Sequence, residues 1–462
     1  MTPRRRPRLR TSALALTALA LVSACVGGKD QTPSTSASGF PPVSADPVVP
    51  ATHVDATAFA TRWPIKHVVF LIKENRSFDS LFGQFPGADG ATTANDHGTI
   101  RPLTPGEDQR QLVDIPHCYS CQLHAVDGGR MDGFNVGTAA DQVAFTQMSP
   151  DQIPAYWAWA KHFVLSDRFF ASALGPSFPN HMFSIAATSG RTHDNPHHHD
   201  PSELNKLLAQ GYAKSWGCDI GPGGYVLVYD SEGVPTEVSP CFDFLTEGDL
   251  LNHKHIPWAY YGATNREYGY IFTAYSSIRR YREHPAKWAR YIRPVDNVVH
   301  DIKNDLLPPV TWITPRGELS DHPGSNNSFC HGQNWTTEVV NAIMASPMWK
   351  DTVIFVTWDD YGGFYDHVPP VRLDDFGLGI RVPMLMISPY AKSGTIDHTQ
   401  GEFSSVLRFI EDNWGLTQLT RRDKIANDLS HNFDFTQTPI TPDPQPLRTD
   451  CTGPIFTGPP NT

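Results

Sequence analysis

The side chains with the most chemical potential in this chain fall in a few short blocks. Lys73-Glu74-Asn75-Arg76-Ser77 follows one apolar run, Asp359-Asp360 follows another, and histidines stand at 117, 124, 181, 322 and 367. Carboxylate and amide oxygens together with imidazoles are the donor set of a divalent metal with an open position. Each pair alone also has a plainer use. Glu74-Asn75 suits the cap of a following helix, and Asp359-Asp360 ahead of Tyr361-Gly362-Gly363 suits a turn. The joint pattern is what points to a site. Leu174-Gly-Pro-Ser177-Phe-Pro-Asn-His181 adds a hydroxyl in a loop stiffened by two prolines. Beside a metal such a serine is a nucleophile, because the cation lowers the cost of the alkoxide and gathers charge building on phosphoryl oxygens. No Gly-x-Ser-x-Gly surrounds Ser177, which sets it apart from ordinary α/β-hydrolase esterases.

These blocks need rigid elements behind them. Ile65–Ile72, Thr352–Trp358 and Val382–Ile387 are short, nearly continuous apolar runs, the pattern of strands buried on both faces of a parallel sheet. Apolar residues at three- and four-residue spacing predict helices over Trp335–Ala345 and Phe403–Asn413. Buried strands alternating with helices predict a doubly wound α/β sheet, whose ligands collect beyond the carboxyl ends of the strands. Two of the strands end in the carboxylate and amide blocks. Residues 190–300, rich in glycine and aromatics, are expected as insertions over the sheet rather than a second domain. The runs Ala155–Trp159 and Trp258–Tyr261 are candidates for an aromatic cage around a quaternary ammonium or for an apolar wall, with core packing an equal explanation for the first. His193 and His197-His198-His199 read as a solvated loop, with a second metal as the alternative.

The remaining features concern location and partners. An arginine-rich start, an apolar stretch too short to span a bilayer and Val22-Ser-Ala-Cys25 predict an exported chain, with residues 1–24 as a signal peptide. The tetrapeptide resembles a bacterial lipobox, which implies lipidation of Cys25 and attachment in the cell envelope. Residues 25–62 are Pro- and Ser-rich and read as a tether; 63–420 carry the blocks, and 421–462 read as a C-terminal strap, pinned by Cys451. The other cysteines, 118, 121, 218, 241, 330 and 451, suit up to three disulfides in an oxidising compartment, with Cys218–Cys241 the preferred local loop. The 37 Lys and Arg against 48 Asp and Glu leave a net charge of −11, which disfavours nucleic acid as a partner. A small anionic substrate would need a local cationic site. No protein partner is expected.

Lys73-Glu-Asn-Arg-Ser-Phe-Asp79, Gly175-Pro-Ser-Phe-Pro-Asn-His181, Ser320-Asp-His-Pro323 and Thr357-Trp-Asp-Asp-Tyr-Gly-Gly-Phe-Tyr-Asp-His-Val-Pro-Pro370 resemble, in order, the signature blocks of the bacterial phosphoesterase family. That family joins phospholipases C with a respiratory-burst-inhibiting acid phosphatase. The resemblance implies an alkaline-phosphatase-like α/β fold flanked by helices, one divalent metal, and attack by a serine or threonine through a phospho-enzyme on phospholipid or small phosphate esters. It implies Glu74, Asn75, Asp359 and Asp360 as metal ligands, Asn75 and Ser177 near the phosphate, and His117, His322 and His367 as catalytic histidines, one of which protonates the leaving oxygen. His181 and His124 follow as substrate contacts. Where the family commonly has Asp-Glu, this chain has Asp359-Asp360. The ligand set leaves calcium, magnesium, manganese, iron and zinc open. Phosphomonoesterase action is the alternative within the class. A sulfatase-like hydrolase and a non-catalytic envelope binding protein are alternatives outside it; Ser177-Phe-Pro-Asn-His lacks the arginine of the sulfatase motif.

Overall fold

A computed structural model describes residues 46–135, 141–324 and 327–455. The signal segment, Cys25 and the tether up to residue 45 lie outside the described residues. The centre is an eight-stranded sheet of β1 (His67–Lys73), β2 (Val164–Ser166), β3 (Trp258–Gly262), β4 (Ile292–Pro294), β5 (Val310–Ile313), β6 (Thr352–Trp358), β7 (Met384–Ile387) and β8 (Thr395–Asp397). Their spatial order is β4-β3-β5-β1-β6-β7-β2-β8. All seven residues of β1 and of β6 are buried, as continuous β-branched and aromatic runs require when helices cover both faces.

Register places the chemistry. Strands β1 and β6 pair in parallel from His67 opposite Thr352 to Lys73 opposite Trp358. The next residues, Glu74-Asn75 and Asp359-Asp360, therefore leave the sheet side by side at its carboxyl edge. On the other side of β1, β5 runs parallel with Leu71 opposite Ile313. The loop after β5 returns to the same edge, where the Glu74 N–H donates to Ser320 O at 2.8 Å.

The expected strand at 382–387 forms as β7, but it runs antiparallel to both β6 and β2, so the sheet is mixed. An apolar run carries no mark of direction. The expected helices also form: Phe329–Ala345 starts six residues before the periodic stretch, capped by Ser328 accepting from His331 N–H, and Phe403–Trp414 is closed by Gly415 in the left-handed region at φ 63°.

Residues 190–300 are only partly insertion. His197–His198, Gly224–Tyr229 and Pro235–Val238 make a small separate sheet, whereas β3 and β4 complete the edge of the main one. Both aromatic runs are core, which removes them as a cage or wall. Tyr156 and Trp159 are fully buried, and Tyr156 packs edge-on to Trp358 with centroids 5.3 Å apart. Trp258 stacks on Tyr291 at 4.6 Å, and Tyr261 donates to Asp301 at 2.7 Å.

Among the described residues three disulfides close the chain: Cys118–Cys121, Cys218–Cys241 and Cys330–Cys451. The last joins the tail to the helix Phe329–Ala345, where Asn334 also exchanges hydrogen bonds with the Arg448 backbone at 2.9 and 2.8 Å. Before the first strand, Asp46 pairs with Arg282 at 2.7 Å, and Trp63 stacks on Phe409 at 4.6 Å. Among the described residues no helix is long and apolar enough to cross a membrane.

Candidate active site

Ser177 is the first residue of the helix Ser177–Ala186, after Pro176, and all ten residues of that helix are buried. Its hydroxyl therefore sits at the positive end of the helix dipole, which favours an anion, although the Phe178 N–H is taken by Asn195 Oδ1 at 2.9 Å and Pro179 has none. The serine Oγ lies 3.3 Å from each of three groups: Asn75 Nδ2, which donates to it, and the acceptors Glu74 Oε2 and Asp360 Oδ2. Asn75 adopts φ 37°, a left-handed conformation that costs energy in a non-glycine residue and turns the chain sharply off β1. Gly362, at φ 60°, lets the opposing loop close on this turn, since a Cβ there would meet Asn75 Cβ at 2.6 Å.

The structure brings together the residues expected as ligands, and His181 joins them. Glu74, Asp359 and His181 offer donor atoms within 4.8 Å of one another, all buried. His181 Nε2 is 2.8 Å from Glu74 Oε1 and 3.8 Å from Asp359 Oδ2, so this histidine faces the carboxylates rather than a substrate pocket. Asp359 Oδ1 accepts the Asn75 N–H at 3.2 Å, and Asp360 Oδ1 accepts the Gly362 N–H at 2.7 Å. Asn75 Oδ1 and Asp359 Oδ2 are buried without a hydrogen-bond partner. Burial first, and then the neighbouring carboxylates, push Glu74 well above the usual carboxyl range; Asp359 is raised by burial and by Asp360. Asp360 is raised by burial against the pull of His117. The two adjacent cations are turned elsewhere: Lys73 pairs with Asp321 at 3.3 Å and Arg76 donates to Gln111 at 2.6 Å. Three converging buried carboxylates and orphaned oxygens fit a divalent cation.

Beside Ser177 opens a cavity of about 190 Å³ whose lining includes His117, His322, Lys214, Trp216 and Phe272. The His117 and His322 rings lie 5.7 Å apart. His117 Nδ1 faces Ile115 O at 2.6 Å and His322 Nδ1 faces Pro323 O at 2.5 Å, an arrangement that leaves each Nε2 on the other side of its ring. Their environments differ. Burial works against protonation of His117, but Asp360 and Asp114 outweigh it and the pKa rises; burial, with His117 adding to it, lowers His322.

Two expected residues are not brought here. His367 turns into a separate buried ion network, with Nδ1 2.7 Å from Asp79, Nε2 3.2 Å from Asp89, and Arg381 beside it. Both ring nitrogens face carboxylates, and the ring does not line the cavity. His124 stands exposed on the helix Tyr119–Val126, 6.2 Å from the His97 ring. The histidine-rich loop is dispersed: His193 packs against Tyr119, Tyr229 and Phe376, while His199 meets Glu237 at 3.1 Å. Sequence reasoning missed Lys214, Trp216 and Phe272, which come from the glycine- and aromatic-rich stretch that has no periodicity to place them.

Residues 65–417 match the family model described as the Phosphoesterase family. The chain belongs to that family and is a hydrolase of phosphoric esters. It is 26% identical to non-specific phospholipase C6 of Arabidopsis thaliana over 87% of this chain and 76% of that one. It is 25% identical to the non-hemolytic and 26% to the hemolytic phospholipase C of Pseudomonas aeruginosa, each over 82% of this chain. The match spans 59% and 57% of the length of those two relatives. Among solved structures, a protein in the alkaline phosphatase superfamily from Vibrio parahaemolyticus aligns over 80% of this chain and 68% of its own at 10% identity, with a TM-score of 0.31.

Proposed function

We propose that this protein is a metal-dependent, phospholipase C-like hydrolase that uses Ser177 as its nucleophile, acting on phospholipid or small phosphate esters outside the cytoplasm. The observation that carries the reading is the convergence of Asn75, Glu74 and Asp360 on Ser177 Oγ, at the start of a buried helix and open to the cavity of His117 and His322. Glu74, Asn75, Asp359 and Asp360, with His181, would hold one divalent cation. That cation would lower the pKa of the serine hydroxyl and offset charge on the phosphoryl oxygens.

The remaining work falls to this chain's own residues. Ser177 Oγ, its proton given up to cavity water, forms a bond to phosphorus while the bond from phosphorus to the leaving oxygen breaks, with the positive end of the helix dipole toward the phosphoryl charge. His117, its pKa raised, delivers a proton to the leaving oxygen. In the second half a water attacks the phosphoserine, His117 takes the proton of that water, and the departing Ser177 Oγ takes its proton back from cavity water. His322, its Nδ1 donating to Pro323 O and its pKa lowered by burial, offers Nε2 as an acceptor to the attacking water.

The relatives named phospholipase C support a phosphodiester substrate, and attachment through lipidated Cys25 would keep the enzyme next to membrane lipid. Purified protein assayed on phosphatidylcholine and on p-nitrophenyl phosphate, each with chelator and with metal restored, tests the reading. Chelator-sensitive release of phosphocholine supports a phospholipase C, and turnover of the monoester alone makes it a phosphatase. Turnover of neither under any metal overturns the hydrolase mechanism. Replacing Cys25 by Ala should move the protein from the membrane fraction to the soluble one; unchanged partition would sink the anchor.

A further inference from the structure

The helix that starts at Ser177 brings a dipole to the phosphoryl group but few hydrogen-bond donors. The backbone N–H directly after the serine, on Phe178, donates to Asn195 Oδ1 at 2.9 Å, and Pro179 has no N–H to give. Asn75 Nδ2 already donates to Ser177 Oγ itself at 3.3 Å. A phosphoryl group that gathers charge as its bonds exchange is stabilised best by donors fixed before the reaction begins.

Asn195 is placed to be such a donor. It lines the same cavity as Ser177, His117 and His322. The Phe178 N–H can only donate, so the amide of Asn195 must present its oxygen there, which turns its NH2 the other way. Among the described residues that Nδ2 has no hydrogen-bond partner, and it is not sealed from solvent. A second contact fixes the loop of Asn195 against that of the nucleophile. His193 O approaches Gly175 so closely that a Cβ there would lie 2.4 Å from it, an approach that glycine permits. Within the loop, the Asn195 N–H donates to Asp194 Oδ1 at 3.3 Å, and Pro196 is buried.

We propose that Asn195 is a further catalytic residue of this site: its Nδ2 donates a hydrogen bond to a phosphoryl oxygen while its Oδ1 stays on the Phe178 N–H. No proton changes hands; the bond strengthens as negative charge builds on that oxygen in the transition state. The inference rests on Ser177 being the nucleophile.

The test compares the parent with Asn195→Asp and Asn195→Ala. Asn195→Asp keeps an oxygen for the Phe178 N–H and exchanges the NH2 for a second oxygen, so it removes the donor and leaves the cap, whereas Asn195→Ala removes both. Two quantities are read in each protein: kcat/KM on p-nitrophenyl phosphate, and the ratio of the inhibition constants of inorganic phosphate and orthovanadate. Vanadate adopts the five-coordinate geometry of phosphoryl transfer, so a donor matched to the transition state favours it over phosphate. The ratio is internal to each protein, so a variant that folds poorly still reports it, and the added charge of Asn195→Asp acts on both anions. Both variants should lose about 10²- to 10³-fold in kcat/KM, the effect of removing one such donor, and the ratio should fall by at least about 10-fold. An Asn195→Asp that stays within about threefold of the parent while Asn195→Ala loses activity makes Asn195 a cap alone and overturns the inference. A ratio unchanged in both variants overturns it as well, while the hydrolase mechanism stands. A parent that turns over no phosphate ester under any metal overturns the mechanism and the inference together.

Discussion

Replacing Asp359 by Asn should stabilise the metal-free protein and abolish the stability gained from metal, two effects of opposite sign. In the metal-free state Glu74, Asp359 and Asp360 are fully buried at one point, and all three have raised pKa values. The folded chain then holds protons that the unfolded chain releases. Stability is therefore full below the ordinary carboxylate pKa and is lost as pH rises through the raised folded values. At neutral pH the cluster is a cost, and Asn at 359 removes one of its charges, so the chelated variant should melt at or above the chelated parent. A bound cation reverses the balance. At a free metal concentration 100 times its Kd the native state gains about 2.7 kcal/mol. With an unfolding entropy of about 2.1 cal/mol/K per residue and roughly 400 ordered residues, that is a Tm gain of about 3 °C. Asp359→Asn loses a charged ligand, and its gain should fall below about 1 °C at the same metal concentration. Differential scanning calorimetry of both proteins, with chelator and with metal, at pH 5 and pH 8, reads every term. The reasoning would be refuted by a variant with the parent's full metal-dependent gain, by a chelated variant that melts well below the chelated parent, or by a chelated parent more stable at pH 8 than at pH 5.

Other expectations follow from the same geometry. Ser177→Ala should reduce kcat by at least about 10³-fold while metal content by elemental analysis stays near that of the parent, because the hydroxyl is the nucleophile and the carboxylates remain; retained turnover would remove Ser177 from its role. His117→Asn should cost about 10²- to 10⁴-fold on an alkyl phosphate ester and far less on a p-nitrophenyl ester, whose leaving oxygen needs no proton. Equal losses on both would count against His117 as the acid. His367→Gln should leave kcat within about threefold of the parent and lower Tm, since its ring serves the Asp79–Asp89–Arg381 network rather than the cavity. Far from the site, burial together with Glu247 and Asp423 pushes Glu411 up to about 11. A raised carboxyl pKa means stability lost as pH climbs from the unfolded value toward that figure, at no more than about 1.4 kcal/mol per pH unit. Glu411→Gln should therefore raise Tm more at pH 9 than at pH 5, and a pH-independent shift would contradict the cluster's cost.

Much of this was legible in the residues themselves. The apolar runs at 65–72 and 352–358 marked the two central strands because a strand covered on both faces has no room for polar alternation. Polar blocks directly after such runs marked a carboxyl-edge site, and the helix expected over 403–413 followed from its period. The Cys218–Cys241 loop was readable from proximity in sequence. Block order was enough for the family.

Other features depended on distant parts of the chain meeting. The direction of β7 is set by its neighbours, not by its own apolar residues, and the strand Trp258–Gly262 looks like an aromatic patch until its burial is known. On paper His367 is a catalytic histidine and His181 a substrate contact. The turn of the Ser177 helix points His181 at Glu74, whereas Arg381 and two carboxylates draw His367 out of reach. Lys214, Trp216 and Phe272 had no motif at all, and only the fold brings them to the cavity lining. Local sequence determines which residues can form a strand, a cap or a ligand. Which of them share a site is decided by register and packing between segments a hundred or more residues apart, and one sequence read along its length holds no record of those distances.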